Sequence, residues 1–167
     1  IAMAGVSAKS DTLLLAGERG WIPMSINIIP PRVLHSHWEA VEEGASKSGK
    51  TPSRDNWRIA REIYVADTTE EARRGALEGT LTRDFHGYWE QLLAKAKRMD
   101  LLKVDPEMAD SDVTPEYCMD NIWVVGSPDD VVEKLQKLYD DVGGFGVILA
   151  MGHEWQPDDG WRRSMTL

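Results

Sequence analysis

A single cysteine, Cys118, stands among the 167 residues, so no internal disulfide can form, which fits a reducing compartment and predicts the cytoplasm. No apolar run approaches the roughly 20 residues needed to span a bilayer, which argues against a membrane protein. Positive charge is scarce and scattered: the formal net charge is −9 and the pI about 4.9. Arg73–Arg74, Lys97–Arg98 and Arg162–Arg163 are the only adjacent basic pairs, so general attraction to nucleic acid or anionic lipid is excluded. The partner to expect is a small molecule or another protein. Nucleotide-binding signatures of the GxGxxG or GxxxxGK[ST] kind are missing as well. An initiating methionine is also absent. The chain opens on Ile1, and Ile1–Val6 already reads as a buried strand without the basic flank of a secretory signal. The expectation is a piece of a larger protein whose preceding part lies upstream.

What is present is an ordinary globular mixture, 42% hydrophobic and 28% charged, long enough for one domain with a real core. After the strand at Ile1–Val6 comes a polar turn, Ser7–Asp11, then a short helix at Thr12–Arg19 stopped by Gly20. Trp21–Asn27 reads as a strand despite Pro23. Pro30 and Pro31 open a helix with Leu34, Trp38, Val41 and Ala45 on one face. Trp57–Ala66 is the clearest strand; its Arg61 and Glu62 must pair or reach an end of the sheet. Thr68-Thr69-Glu70-Glu71 is a capping box for a helical pattern running to about Arg98. Residues 99–113 are acidic, contain Pro106 and read as an irregular insertion. Thr114-Pro115 opens a short helix, Trp123–Val125 is extended, and Ser127-Pro128 starts a helix whose buried face is Val131, Leu135 and Leu138. Gly146–Met151 is an apolar strand and 158–167 a terminal helix. Alternating strands and helices argue for an α/β fold with a parallel sheet. That leaves an open doubly wound sheet or part of a (β/α)8 TIM barrel; a full barrel needs about 250 residues, so the barrel requires a missing half.

Chemistry concentrates in Ala4-Gly5-Val6-Ser7-Ala8-Lys9-Ser10-Asp11-Thr12. A strand ends, glycine lets the backbone turn, and hydroxyls precede a helix; such amides and hydroxyls suit a phosphate. Lys9 adds a positive charge and Asp11 opposes one. The plainer reading is a loop whose Ser10 merely caps its helix. His35 and His37 are two apart, point to different sides of a helix and cannot easily share a metal. His86 reads as a surface or packing residue, Cys118 as a buried thiol, and the seven tryptophans as packing. No metal site is expected.

The segment "IAMAGVSAKSDTLLLAGERGWIPMSINII" resembles the middle of the bacterial-luciferase-like flavin monooxygenases. The stretches "HWEAVEEGASKSGKTPSRDNWRIAREIYVADTTEEARRGA" and "VVGSPDDVVEKLQKLYDDVGGFGVILAMG" are similar to the later helices and strands of that family, nearest its limonene monooxygenase-like branch. The resemblance implies that residues 1–167 are the C-terminal half of one TIM barrel. It implies an FMN-dependent monooxygenase, in which reduced flavin from a separate flavin reductase reacts with dioxygen and one oxygen atom passes to a small apolar or carbonyl substrate. By position, Gly5, Val6, Ser7 and Ser10 would hold the FMN phosphate. Met24, Ser25, Asn27 and His153 would line the flavin or substrate pocket, strand C-termini facing a barrel's active site. Catalytic residues are expected in the other half, so this piece alone should be inactive. A homo-oligomer, or pairing with the missing half, is expected to cover the exposed sheet edges. The alternatives are a deazaflavin-dependent hydride-transfer enzyme on the same fold and a non-catalytic flavin-binding fragment.

Overall fold

The computed structural model describes residues 1–153 and 159–167, which divide into two compact units, residues 1–61 with 138–149 and residues 62–137 with 150–167. In the first unit β1 (Ala2–Gly5) and β2 (Ile22–Ser25) run parallel, Ala2 opposite Ile22 and Gly5 opposite Ser25. Their connection is α1 (Asp11–Arg19), ended by Gly20 at φ 69°, a left-handed turn that glycine takes without a Cβ clash. β2 continues into α2 (Pro31–Lys47) and pairs with the first half of β3 (Arg58–Val65) at Met24–Arg58 and Ser25–Ile59.

Pro23 sits inside β2 without penalty. The amides of Ile22 and Ile26 donate to Ile1 and Gly5, so alternate amides face β1. The amide that Pro23 lacks would face β3, which joins only at Met24. α1 and α2 cross with their backbones in contact. A Cβ on Gly17 would stand 2.0 Å from the Val41 carbonyl oxygen, and one on Gly44 would stand 1.9 Å from that of Leu14. The helix face expected from spacing, Leu34, Trp38, Val41 and Ala45, is buried.

The second unit holds the rest of β3, paired in parallel with β4 (Val124–Gly126) through Ile63–Val124 and Val65–Gly126. Val65, Val124 and Val131 form its core, with Ile63 and Leu135 packed against them; the last two valine and leucine positions come from α7 (Pro128–Val142). The capping residues behave as their types predict. Thr68 accepts from the Glu71 amide at 3.2 Å and Thr114 from that of Tyr117 at 3.2 Å, opening α3 (Thr69–Glu78) and α6 (Pro115–Asn121). Asp130 Oδ2 receives the Ser127 amide, the Ser127 hydroxyl and the Thr69 hydroxyl. These three donors hold its carboxyl down at about 2, that of Thr69 contributing most.

The helical pattern expected to reach Arg98 is broken. After α3 the backbone extends at Gly79, and α4 (Thr80–Asp84), a π turn at Phe85–Trp89 and α5 (Glu90–Ala96) follow. A Cβ on Gly79 would lie 2.2 Å from the Gly75 carbonyl oxygen, a crowding that only glycine escapes. Residues 99–113 contain two short 3₁₀ turns. They are tied down by Lys103, 7% exposed, whose ammonium reaches the Met108 carbonyl and Asp110, each at 2.6 Å.

β5 (Val147–Met151) enters the first unit beside β3: the amides of Gly146 and Val147 both point at the Trp57 carbonyl oxygen, 3.2 Å away. The last helix is α8 (Asp159–Ser164); Asp158, expected to begin it, lies outside the described residues. No helix among those described is long and apolar enough to cross a membrane.

Candidate functional site

The turn after β1 leaves Val6, Ala8 and Lys9 exposed and Ser7 half-buried, while Gly5 and Ser10 are buried. Ser10 points inward. The Thr12 hydroxyl donates to the Ala4 carbonyl at 2.6 Å, so in its 2.8 Å contact with Ser10 Oγ Thr12 accepts and Ser10 donates. The Ser10 side chain therefore belongs to an internal chain of hydroxyls; it makes no side-chain cap for α1. At Gly5 both helices pack close: a Cβ would stand 2.4 Å from Leu13 Cδ1 and 3.0 Å from His37 Cε1.

His37 is fully buried and joins four segments. Nε2 lies 3.0 Å from the Ser7 carbonyl oxygen and Nδ1 lies 2.9 Å from Ser25 Oγ, which also receives the Trp57 indole N–H at 3.0 Å. A carbonyl only accepts, so Nε2 carries the proton. Burial, with a contribution from Arg61, drives the ring's pKa down to about 4, so the ring is neutral and Nδ1 is an acceptor. Ser25 then donates its one proton to Nδ1 and accepts from Trp57. Sequence spacing had set His37 aside because it cannot share a metal with His35; the helix leaves His35 exposed and buries His37. The buried-face period of α2, which includes position 37 beside Leu34 and Val41, was the signal available.

Because the Ser25 side chain turns toward α2, its neighbour Met24 faces the other side of the strand and is half-buried, while Asn27, just past β2, is 6% exposed. A cavity of about 170 Å³ in this unit is lined by Gly20, Trp21, Pro52 and Asn56 among others. Those residues precede β2 and β3, so the cavity opens at the strands' N-terminal ends, away from Ser7.

His153, in the second unit, sits between two carboxylates. Nε2 meets Glu62, and Nδ1 lies 2.5 Å from Asp84 Oδ2. Its ring also tilts over Trp161, 5.6 Å between centroids. The hydrogen bond to Glu62, ahead of the charges of Glu62 and Asp84, raises its pKa above the ordinary histidine value. With both nitrogens engaged, only the ring face is left for another molecule. Glu62, one of the two charges in the middle of β3, is thereby paired. His86 is exposed and bonds Glu90 at 2.8 Å. Cys118 is buried, and burial pushes its thiol up to about 12, where it is inert as a nucleophile. Among the described residues no cluster of His, Cys, Asp and Glu is arranged to hold a metal.

Comparison with known proteins adds to this geometry. The family model for luciferase-like monooxygenases matches residues 1–144. The chain is 34% identical over 168 residues to the 3,6-diketocamphane 1,6-monooxygenase of Pseudomonas putida, covering all of this chain and 44% of that protein. It is 29% identical over 148 residues to the limonene 1,2-monooxygenase of Rhodococcus erythropolis, 84% of this chain and 35% of that one. In structure it superposes with a TM-score of 0.89 at 34% identity on the oxygenating constituent of 3,6-diketocamphane monooxygenase from Pseudomonas putida, a type II Baeyer-Villiger monooxygenase solved with FMN, covering 99% of this chain and 45% of that one. The chain thus spans less than half the length of these relatives, and its parallel α/β arrangement is part of a TIM-barrel-type fold.

Proposed function

The chain belongs to the luciferase-like monooxygenase family, and from that premise we propose that the whole protein is an FMN-dependent monooxygenase of Baeyer-Villiger type, acting on a small apolar ketone. The observation that carries this reading is the likeness, at 34% identity along 99% of the chain, to the structure of a type II Baeyer-Villiger monooxygenase in complex with FMN. The exposed turn Val6–Lys9 suits the role. Its donors are what a phosphate requires: the half-buried Ser7 hydroxyl, the amides of the turn and of the nine-residue helix α1, and the Lys9 cation at the edge. Asp11 in the first turn of α1 is exposed, free to point into solvent.

In this reading Val6, Ser7 and the turn's amides grip the phosphate, Gly5 lets α2 approach beneath it, and Ser10 acts through the hydroxyl chain that shapes the turn. Met24 and Asn27 face the flavin or substrate, and Ser25 supports His37. Reduced FMN, when bound, supplies the two electrons that activate dioxygen. Net, one oxygen atom enters between the carbonyl carbon and its neighbour, and the other leaves as water. The chain's own contribution is to bind the cofactor, orient it and exclude water. A separate flavin reductase as electron source, a cytoplasmic location and a homo-oligomer complete the proposal.

Oxygen uptake by the protein at its full natural length, given reduced FMN and a bicyclic ketone, tests this. Lactone formed in step with oxygen consumed supports it. Reduction of a deazaflavin without oxygen uptake, or flavin binding without turnover, replaces it with one of the two alternatives. Ser7→Ala is expected to weaken FMN binding by about 1 kcal/mol or more, read by fluorescence titration.

A further inference from the structure

One turn of α2 holds the flavin-phosphate turn at two consecutive peptide groups. His37 Nε2 donates to the Ser7 carbonyl at 3.0 Å. The preceding residue, Ser36, donates its own proton to the Val33 carbonyl at 2.7 Å and accepts the Lys9 amide at 3.1 Å. One bond points from the helix to the turn and the other from the turn to the helix, and Ala8 lies between them. In a trans peptide the carbonyl and the following N–H point in opposite directions. Fixing the Ser7 carbonyl toward the buried ring therefore turns the Ala8 N–H away from it, to the exposed side. Fixing the Lys9 amide toward Ser36 likewise turns the Ala8 carbonyl away from Ser36. The turn carries a cost: Lys9 has φ 51°, a left-handed conformation worth about 1–2 kcal/mol of strain for a residue with a Cβ, and strain of this kind persists where surrounding bonds over-determine it.

We propose that Ser36 and His37 are positioning residues for the phosphate turn, setting the peptide planes on either side of Ala8 so that the Ala8 N–H is presented to the cofactor's phosphate. This rests on the FMN reading above. The upstream members of the relay serve the same end. Trp57 occupies the acceptor side of the Ser25 hydroxyl and Ser25 occupies Nδ1, so His37 has a single orientation in which to donate. A histidine free to flip or change tautomer would let the Ser7–Ala8 plane rotate. Neither residue touches the phosphate, so each acts on the phosphate-bearing part of the ligand alone.

That gives a readout which a general loss of stability would not move: discrimination between FMN and riboflavin, which differ only by the phosphate. The experiment titrates both flavins into the full-length apoprotein and follows flavin fluorescence. Wild-type protein binds FMN more tightly than riboflavin. His37→Leu loses about tenfold in FMN affinity, the scale of one hydrogen bond to a charged group, while riboflavin binding stays within about twofold. His37→Gln, whose side-chain amide can still donate to the Ser7 carbonyl, keeps most of the preference. Ser36→Ala, at a half-buried site outside the core, loses about threefold for FMN only, and it decides the matter should His37→Leu not fold. In the wild type the ¹⁵N-labelled Ala8 amide shifts with FMN and not with riboflavin. A wild type without FMN preference sinks the phosphate-turn reading itself. A wild type with that preference, joined to variants that keep it or weaken both flavins alike, overturns the role of Ser36 and His37.

Discussion

His37 in the first unit lies among a carbonyl, a hydroxyl and an indole, while His153 in the second is gripped by Glu62 and Asp84. Both rings are removed from bulk water and both use both nitrogens, yet burial lowers the pKa of one to about 4 and carboxylates raise that of the other. The difference lies in what each can transmit. A neutral imidazole has one donor and one acceptor, so its neighbours fix a direction and a tautomer. An imidazolium has two donors and no direction; it acts as a clamp whose strength is electrostatic. The first arrangement suits orienting a turn, the second suits holding the chain after β5 against β3 and α4.

The comparison is broken most severely at Glu62, 3% exposed. Removing Glu62 leaves the His153 ring with only the part-exposed Asp84, and breaking a buried ion pair typically costs about 3–5 kcal/mol. Glu62→Leu should lower the urea midpoint accordingly and return the His153 pKa toward that of free histidine. A loss under about 1 kcal/mol would mean that the clamp is not electrostatic.

The two rings also demand opposite responses to pH. His37 titrates lower in the folded chain than in the unfolded one, so its contribution to stability is complete above about pH 6.5 and is lost as pH falls toward 4; the linkage amounts to roughly 3 kcal/mol. His153 titrates higher when folded. Its contribution is complete below about pH 6.5 and is lost as pH rises through its raised value. Urea unfolding across this range, repeated with His153→Gln, separates the two: the variant should keep the acid-side loss and shed the alkaline-side one.

Ser25→Ala is a smaller perturbation and sharpens the first half of the contrast. It leaves the Trp57 indole N–H and His37 Nδ1 without their partner in a buried site, at a cost of about 2 kcal/mol. It also frees the ring to exchange tautomers, visible in the ¹⁵N shifts of His37. Unchanged shifts would show that the Ser7 carbonyl alone fixes the proton.

Much of this framework was legible in the sequence because it follows local rules. The apolar period placed α2's buried face, proline and serine placed the starts of α6 and α7, and glycine placed the end of α1. The break at Gly79 was not legible, since it depends on a crowded carbonyl one turn back. Of the candidate site, the strand-to-helix turn carrying Ser7 could be read from spacing, and its proposed phosphate role came from the family resemblance. His37 could not, because its partners come from residues 7, 25 and 57, and only the folded sheet brings them together. His153 was noticed for its position after the last strand, but its carboxylates lie 91 and 69 residues away. Arg54 shows the same limit. The acidic last turn of α7, with Asp140 and Asp141, has no basic residue of its own; Arg54 supplies one from far along the chain by donating to the Val142 carbonyl at 2.5 Å while lying 4.6 Å over the Trp38 ring.

Asp84 offers the finest test of the clamp. It contacts the same imidazole as Glu62, but its side chain is 43% exposed against 3% for Glu62. Water already solvates its charge, so little desolvation is recovered when the charge is removed and little attraction is lost. Asp84→Asn should therefore cost under about 1 kcal/mol. The His153 pKa should fall only part of the way, because the bond to Glu62 is the larger cause of its rise. If Asp84→Asn instead matched Glu62→Leu, the imidazolium would be shared equally by the two carboxylates, and depth of burial would not be what separates a strong ionic contact from a weak one here.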